Sequence, residues 1–285
     1  MRAIIRWLVV VVLLCGALPA VAQTAGPGKK GLEEQRRFAA NNALFVIYHE
    51  VAHLLIQQLD LPVLGREEDA ADNMASWTLL NHGTARASQT LKDAVRGWFL
   101  SGIQYRSGSA ESDYAAAYLL DKQRAYQIVC MMVGKDPAAF SAIARDYGLS
   151  PDRQTTCGWD YESVDRGLRS VLARHSSRSG RGSTVNLTYH AVTGALRSSA
   201  EAFKASGVFD QVADELRHSY NLSTPVRFTA KRCGEANAFY DPDRVEIIFC
   251  YELMQDYMKL YADNLPAAGA GQHQSKTRKD KQRSY

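Results

Sequence analysis

Residues 44–56 read Leu-Phe-Val-Ile-Tyr-His49-Glu50-Val-Ala-His53-Leu-Leu-Ile. Such a run is too long for one buried strand and apolar on nearly every side, which predicts a buried helix. On a helix His49 and His53, four apart, share one face and can reach a common point. Two imidazoles so spaced are a zinc pair, and Glu50, one residue round, is placed as a general base toward a water beside them. Burying these three groups without partners is unfavourable, so the stretch calls for further polar residues nearby.

The next helix supplies them. Asp60-Leu61-Pro62 interrupts the first helix, which is expected over 33–59 with a break near Asn41-Asn42. A second helix is expected from about Arg66 to Leu80, opening with Glu67-Glu68-Asp69 and reaching Asp72 one turn on. Glu68 and Asp72 share a face. If the 60–65 turn folds that face onto the first helix, Glu68 becomes the third zinc ligand and leaves a position for water. Asp72 is then placed to accept the other ring N–H of a ligating histidine. Glu67 and Asp69 also suit the helix dipole as first-turn acids, and after Glu68 the next choices for direct ligand are Asp72 and then Glu67.

His49-Glu-x-x-His53 followed by Glu68-x-x-x-Asp72 resembles the gluzincin arrangement. More closely, YHEVAH (48–53), LPVLGREEDAAD (61–72), QRAYQIVC (123–130) and NAFYDPDRVEIIFCYEL (237–253) resemble a bacterial family described as metallopeptidases, DUF4344. That resemblance covers nearly all of the chain except its tail and implies peptidase chemistry, with a peptide or protein substrate. Asn237-Ala238-Phe239-Tyr240 is similar to the edge strand of neprilysin-like gluzincins. The similarity implies that Asn237, Ala238 and Tyr240 align an extended peptide as an added strand. An ordinary hairpin is the competing account of the same residues. In zincins this strand precedes the HExxH helix; here it follows some 185 residues later. The fold class expected is therefore α+β, mostly helical and zincin-like, with a C-terminal sheet lying over N-terminal helices. Tyr240, Tyr251, His190 and Arg232 are candidates to stabilise an oxyanion.

Further helices are expected over 87–99, 116–133, 138–146, 161–173, 200–220 and 252–261, with strands at 226–230, 237–240 and 245–250. Arg2, Arg6, the apolar run 8–14 and Ala20-Val21-Ala22 form a signal-peptide pattern over residues 1–22. The remaining organisation expected is a helical region 23–174, a Gly/Ser-rich linker 175–184, an α/β region 185–265 and a disordered basic tail 266–285. The net charge of +4 leans on that tail, and no basic patch interleaved with aromatics points to nucleic acid. Beyond the signal segment nothing is long and apolar enough to span a membrane. Four cysteines remain there, and short loops favour the pairs Cys130–Cys157 and Cys233–Cys250. The sequence thus points to an exported zinc peptidase. A non-catalytic zinc-binding protein and a metal-dependent amidase acting on cell-wall peptides are the alternatives.

Overall fold

The computed structural model describes residues 29–175 and 182–264. The expected signal peptide, most of the expected linker and the basic tail lie outside them. The elements run α1 (Lys29–Gln58), α2 (Glu67–His82), α3 (Ala85–Gln104), α4 (Glu111–Tyr114), α5 (Asp121–Lys135), α6 (Pro137–Asp146), α7 (Pro151–Leu172), β1 (Val185–Tyr189), a 3-10 turn (Gly194–Leu196), α8 (Arg197–Ser206), α9 (Val208–Ser219), β2 (Val226–Lys231), β3 (Ala238–Asp241), β4 (Glu246–Cys250) and α10 (Tyr251–Asn264). The described chain is mostly helical with one small mixed sheet, an α+β composition.

α1 is the axis of the molecule. From Phe38 to Ile56 every residue is buried except Ala40 and His53, which are half-buried. The expected break at Asn41-Asn42 is absent, because both amides bond across to α3 and stay out of competition with their own backbone. Asn41 Nδ2 donates to Asp93 Oδ2 at 2.7 Å, and Asn42 Nδ2 donates to the carbonyls of Phe38 and Asp93 at 2.9 and 3.1 Å. Gly97 lets α3 approach this closely: a Cβ there would stand 1.9 Å from Asn42 Oδ1.

The sheet order is β1-β2-β4-β3, with β1, β2 and β4 parallel and β3 antiparallel to β4 at one edge. Phe203 and Phe209 of α8 and α9 meet the sheet residues Phe249 and Phe228, the first pair stacked at 4.0 Å and the second edge-on at 5.2 Å. α1 packs against α2, α3 and α10, and also against β3, β4, α8 and α9. One hydrophobic core therefore draws on residues of both expected regions. The end of the expected linker is also built in: Ser183 is buried, and its N–H bonds Arg217 O at 3.2 Å.

Several boundaries differ from expectation. α7 begins ten residues early, where Ser150 Oγ accepts from Arg153 N–H and Pro151 takes the first helical position. The single helix expected over 200–220 is two, divided at Gly207, whose φ of +67° is left-handed. Residues 115–120 are irregular, and α5 starts only at Asp121. β1 was not among the expected strands. Disulfides join Cys130 to Cys157 across α5 and α7, and Cys233 to Cys250 beside β2 and β4. They fit an oxidising compartment, and among the described residues no helix is long and apolar enough to cross a membrane.

Candidate metal centre

The turn after α1 decides where α2 lies. Leu61 is buried under it, Asp60 and Gly65 take positive φ (49° and 109°), and α2 returns along α1 with its acidic first turn facing the histidines. His49 Nε2 lies 3.1 Å from both His53 Nε2 and Glu68 Oε2, and the third side, His53 Nε2 to Glu68 Oε2, is 3.5 Å. A tetrahedral ion with bonds of 2.0–2.1 Å has ligand atoms about 3.3 Å apart. The triangle has that size, and its three atoms are of the types zinc takes. His49, His53 and Glu68 are the group of such residues among those described that could hold a metal ion.

The remaining ring nitrogens are held from behind. His49 Nδ1 is 2.8 Å from Asp72 Oδ1, and His53 Nδ1 is 2.7 Å from Glu67 Oε1. Glu67 is thus not an idle first-turn acid: it does for His53 what Asp72 does for His49. Asp69 instead pairs with Arg66. Behind Asp72 stands Arg124 of α5, whose Nε and Nη2 donate to the two carboxylate oxygens at 2.7 Å each. The guanidinium also lies over the Trp98 ring at 3.6 Å. The sequence carried a sign of this, since Arg124 sits on a face of α5 with buried Ala125 and Ile128, where a charge needs a counter-charge.

These contacts set the charges. Burial raises the Asp72 carboxyl, but the Arg124 charge and its hydrogen bonds outweigh that and hold it well below the usual range. Burial likewise pushes Glu68 up, and hydrogen bonds with His49 and His53 bring it down to about 2. Burial pulls His49 down, while Asp72 and Glu68 push it up to about 9. Glu50 is buried and its carboxyl is raised by that burial, against the pull of His49 and His53.

β3 lies against α1 beside these groups. Cys250 N–H bonds Asn237 O at 3.0 Å, so Asn237 faces β4, whereas the Tyr240 backbone N–H turns the other way, toward the Glu50 carboxylate. By strand alternation Ala238 turns outward with Tyr240. Asn237 Oδ1 accepts the Ala238 N–H at 2.9 Å, and the Tyr240 hydroxyl bonds Gln57. Two clefts meet at this point. One, of about 760 Å³, runs toward Trp98, Asp121 and Tyr257; the other, of about 910 Å³, runs toward Leu61, Glu67 and Phe239. His49, Glu50, Tyr118, Asn237 and Ala238 line both. Of the expected oxyanion candidates only Tyr240 lines either cleft. Tyr251 donates to His190 O at 2.9 Å, and His190 and Arg232 line a different cavity with Lys231. Tyr118, on the irregular 115–120 segment, lines both clefts and was not singled out in the sequence.

A buried helix that presents two imidazoles, a carboxylate ligand from the next helix and a buried glutamate defines a candidate metal-dependent hydrolytic centre. The profile of a family described as "Putative metallopeptidase", DUF4344, matches residues 13–172 and 189–281, and the chain belongs to that family. The family description implies a metal and a protein substrate. The chain matches none of the curated proteins and none of the solved structures.

Proposed function

We propose that the protein is an exported zinc metallopeptidase of zincin-like design. In this reading His49, His53 and Glu68 hold the zinc. Bound there, zinc would supply Lewis-acid activation of a water and of the scissile carbonyl. Glu50 takes the proton of the attacking water and returns it to the leaving amine, and burial keeps its basicity high for that exchange. Asp72, braced by Arg124, and Glu67 fix the rings of His49 and His53. The outward edge of β3, at Ala238 and Tyr240 with Asn237 beside them, aligns an extended peptide past Glu50. The strand follows the metal helix in the chain instead of preceding it, yet rests against it in space.

One observation carries the proposal: a three-donor triangle of zinc dimensions, with a buried glutamate beside it, at the meeting point of two clefts. A zinc site kept for structure alone gives no account of Glu50 lining both clefts. The test compares zinc content and peptide turnover in the wild type and Glu50→Gln. The variant is expected to keep the metal and lose about 10²–10⁴-fold in kcat. Undiminished turnover in Glu50→Gln would overturn the assignment.

A further inference from the structure

We propose that the substrate crosses the centre as an extended chain occupying both clefts, so that cleavage is internal and chains rich in basic side chains are preferred. This rests on the metallopeptidase reading and names its substrate class.

An exopeptidase must do two things that an endopeptidase need not. It must close the groove on one side of the scissile bond, and it must hold a chain terminus there with a fixed opposite charge. The second cleft is lined by His49, His53, Glu68 and Glu50, and the first takes up from it at His49 and Glu50. Each is in the range of about 300–1,000 Å³ that encloses a drug-sized ligand, so each has room for more than a terminal residue. The shared residues Glu50, Tyr118 and Ala238 lie where the two join, which makes one trough passing the centre.

The charges in the trough agree. A terminal carboxylate needs a cation, and the two arginines that line the clefts are engaged elsewhere. Arg124 is buried with two nitrogens on Asp72, and Arg66 pairs with Asp69 at 2.9 Å. Carboxylates dominate instead. Asp113, Asp121, Glu235 and Asp256 line the first cleft, and Asp60 and Glu67 the second. Three of the first four accept from fixed neighbours: Asp113 from the Gly108 N–H, Asp121 from the Ser101 hydroxyl and Asp256 from the Tyr105 hydroxyl. They are spread along the wall as a field of one sign, which concentrates cationic chains and does not mark a single amine pocket.

The test uses zinc-loaded full-length protein and ten-residue peptides, either free or blocked by N-acetylation and C-amidation. Within each set, three central residues are lysine, alanine or glutamate. Products are read by mass spectrometry. The expected result is internal cleavage with kcat/KM the same within about twofold for blocked and free peptides, and a lysine-over-glutamate preference of tenfold or more that shrinks as salt rises. Glu235→Lys, a change at an exposed position, is expected to narrow that preference. Removal of single terminal residues, with blocked peptides inert, would overturn the proposal and leave the metallopeptidase reading intact. Equal rates on lysine and glutamate peptides would overturn the charge preference. If no peptide of either kind is cut, the metallopeptidase reading itself fails.

Discussion

His49 is held at both ring nitrogens, and the hold extends through Asp72 to Arg124, three side chains with little or no exposure. Such a chain is stable only when complete. Arg124→Met leaves an ionised Asp72 buried without its partner and is expected to destabilise the fold by about 3–5 kcal/mol. The double variant Arg124→Met/Asp72→Asn should recover much of that loss in urea unfolding, and an equal loss in both would contradict the coupling. Asp72→Asn alone is expected to weaken zinc binding by about 10–100-fold. The sequence made half of this chain legible. Spacing put Glu68 and Asp72 on one face of α2, and the 60–65 turn brings that face to the histidines. Arg124 lies 52 residues beyond Asp72, a distance at which no local pattern operates. The direction of Glu67 depends on how the turn at Gly65 sets α2 against α1, which spacing does not fix.

Elements show the same division between local and tertiary causes. At Gly97, helix propensity alone favours alanine by about 1 kcal/mol. The contact with Asn42, whose amide is held by two carbonyls, opposes it. Gly97→Ala is expected to destabilise by about 1–3 kcal/mol by overpacking, and a rise in Tm would show that α1 and α3 can part there. His82 joins α2 to α9 through Glu215 Oε1 at 3.1 Å. That hydrogen bond raises its pKa against the lowering effect of burial. A raised histidine stabilises fully below its unfolded pKa, about 6.5, and loses the contribution as pH climbs through the folded value. The Tm gap between wild type and Glu215→Gln should therefore shrink as pH rises from 6 toward 9. A constant gap would contradict it. The apolar pattern made α6 legible, and overlooking Ser150-Pro151 misplaced the start of α7. β1 was missed although Val185, Leu187 and Tyr189 alternate, because five residues after a polar run give little pattern to weigh.

For the molecule as a whole, α1 joins what the sequence divided. The composition of 175–184 marks off a helical and an α/β region, and α1 packs against the helices of one and the sheet of the other. One cooperative unfolding transition is therefore expected, the same by far-ultraviolet and near-ultraviolet circular dichroism. Removing Cys233–Cys250, which closes a 17-residue separation, should lower its stability by about 2–4 kcal/mol without splitting it. Two separate transitions would restore the two-region division. Both cysteine pairs were readable from loop length. The trough was not, since it forms between α1, β3 and the irregular 115–120 segment, from parts of the chain that have no shared local signal. The account stands or falls on the metal. Elemental analysis of dialysed wild-type protein and Glu68→Ala is the direct measurement. The prediction is one zinc per chain in the wild type and little or none retained in the variant. A wild type without zinc after growth with zinc supplied, or a variant that retains it fully, would contradict the site.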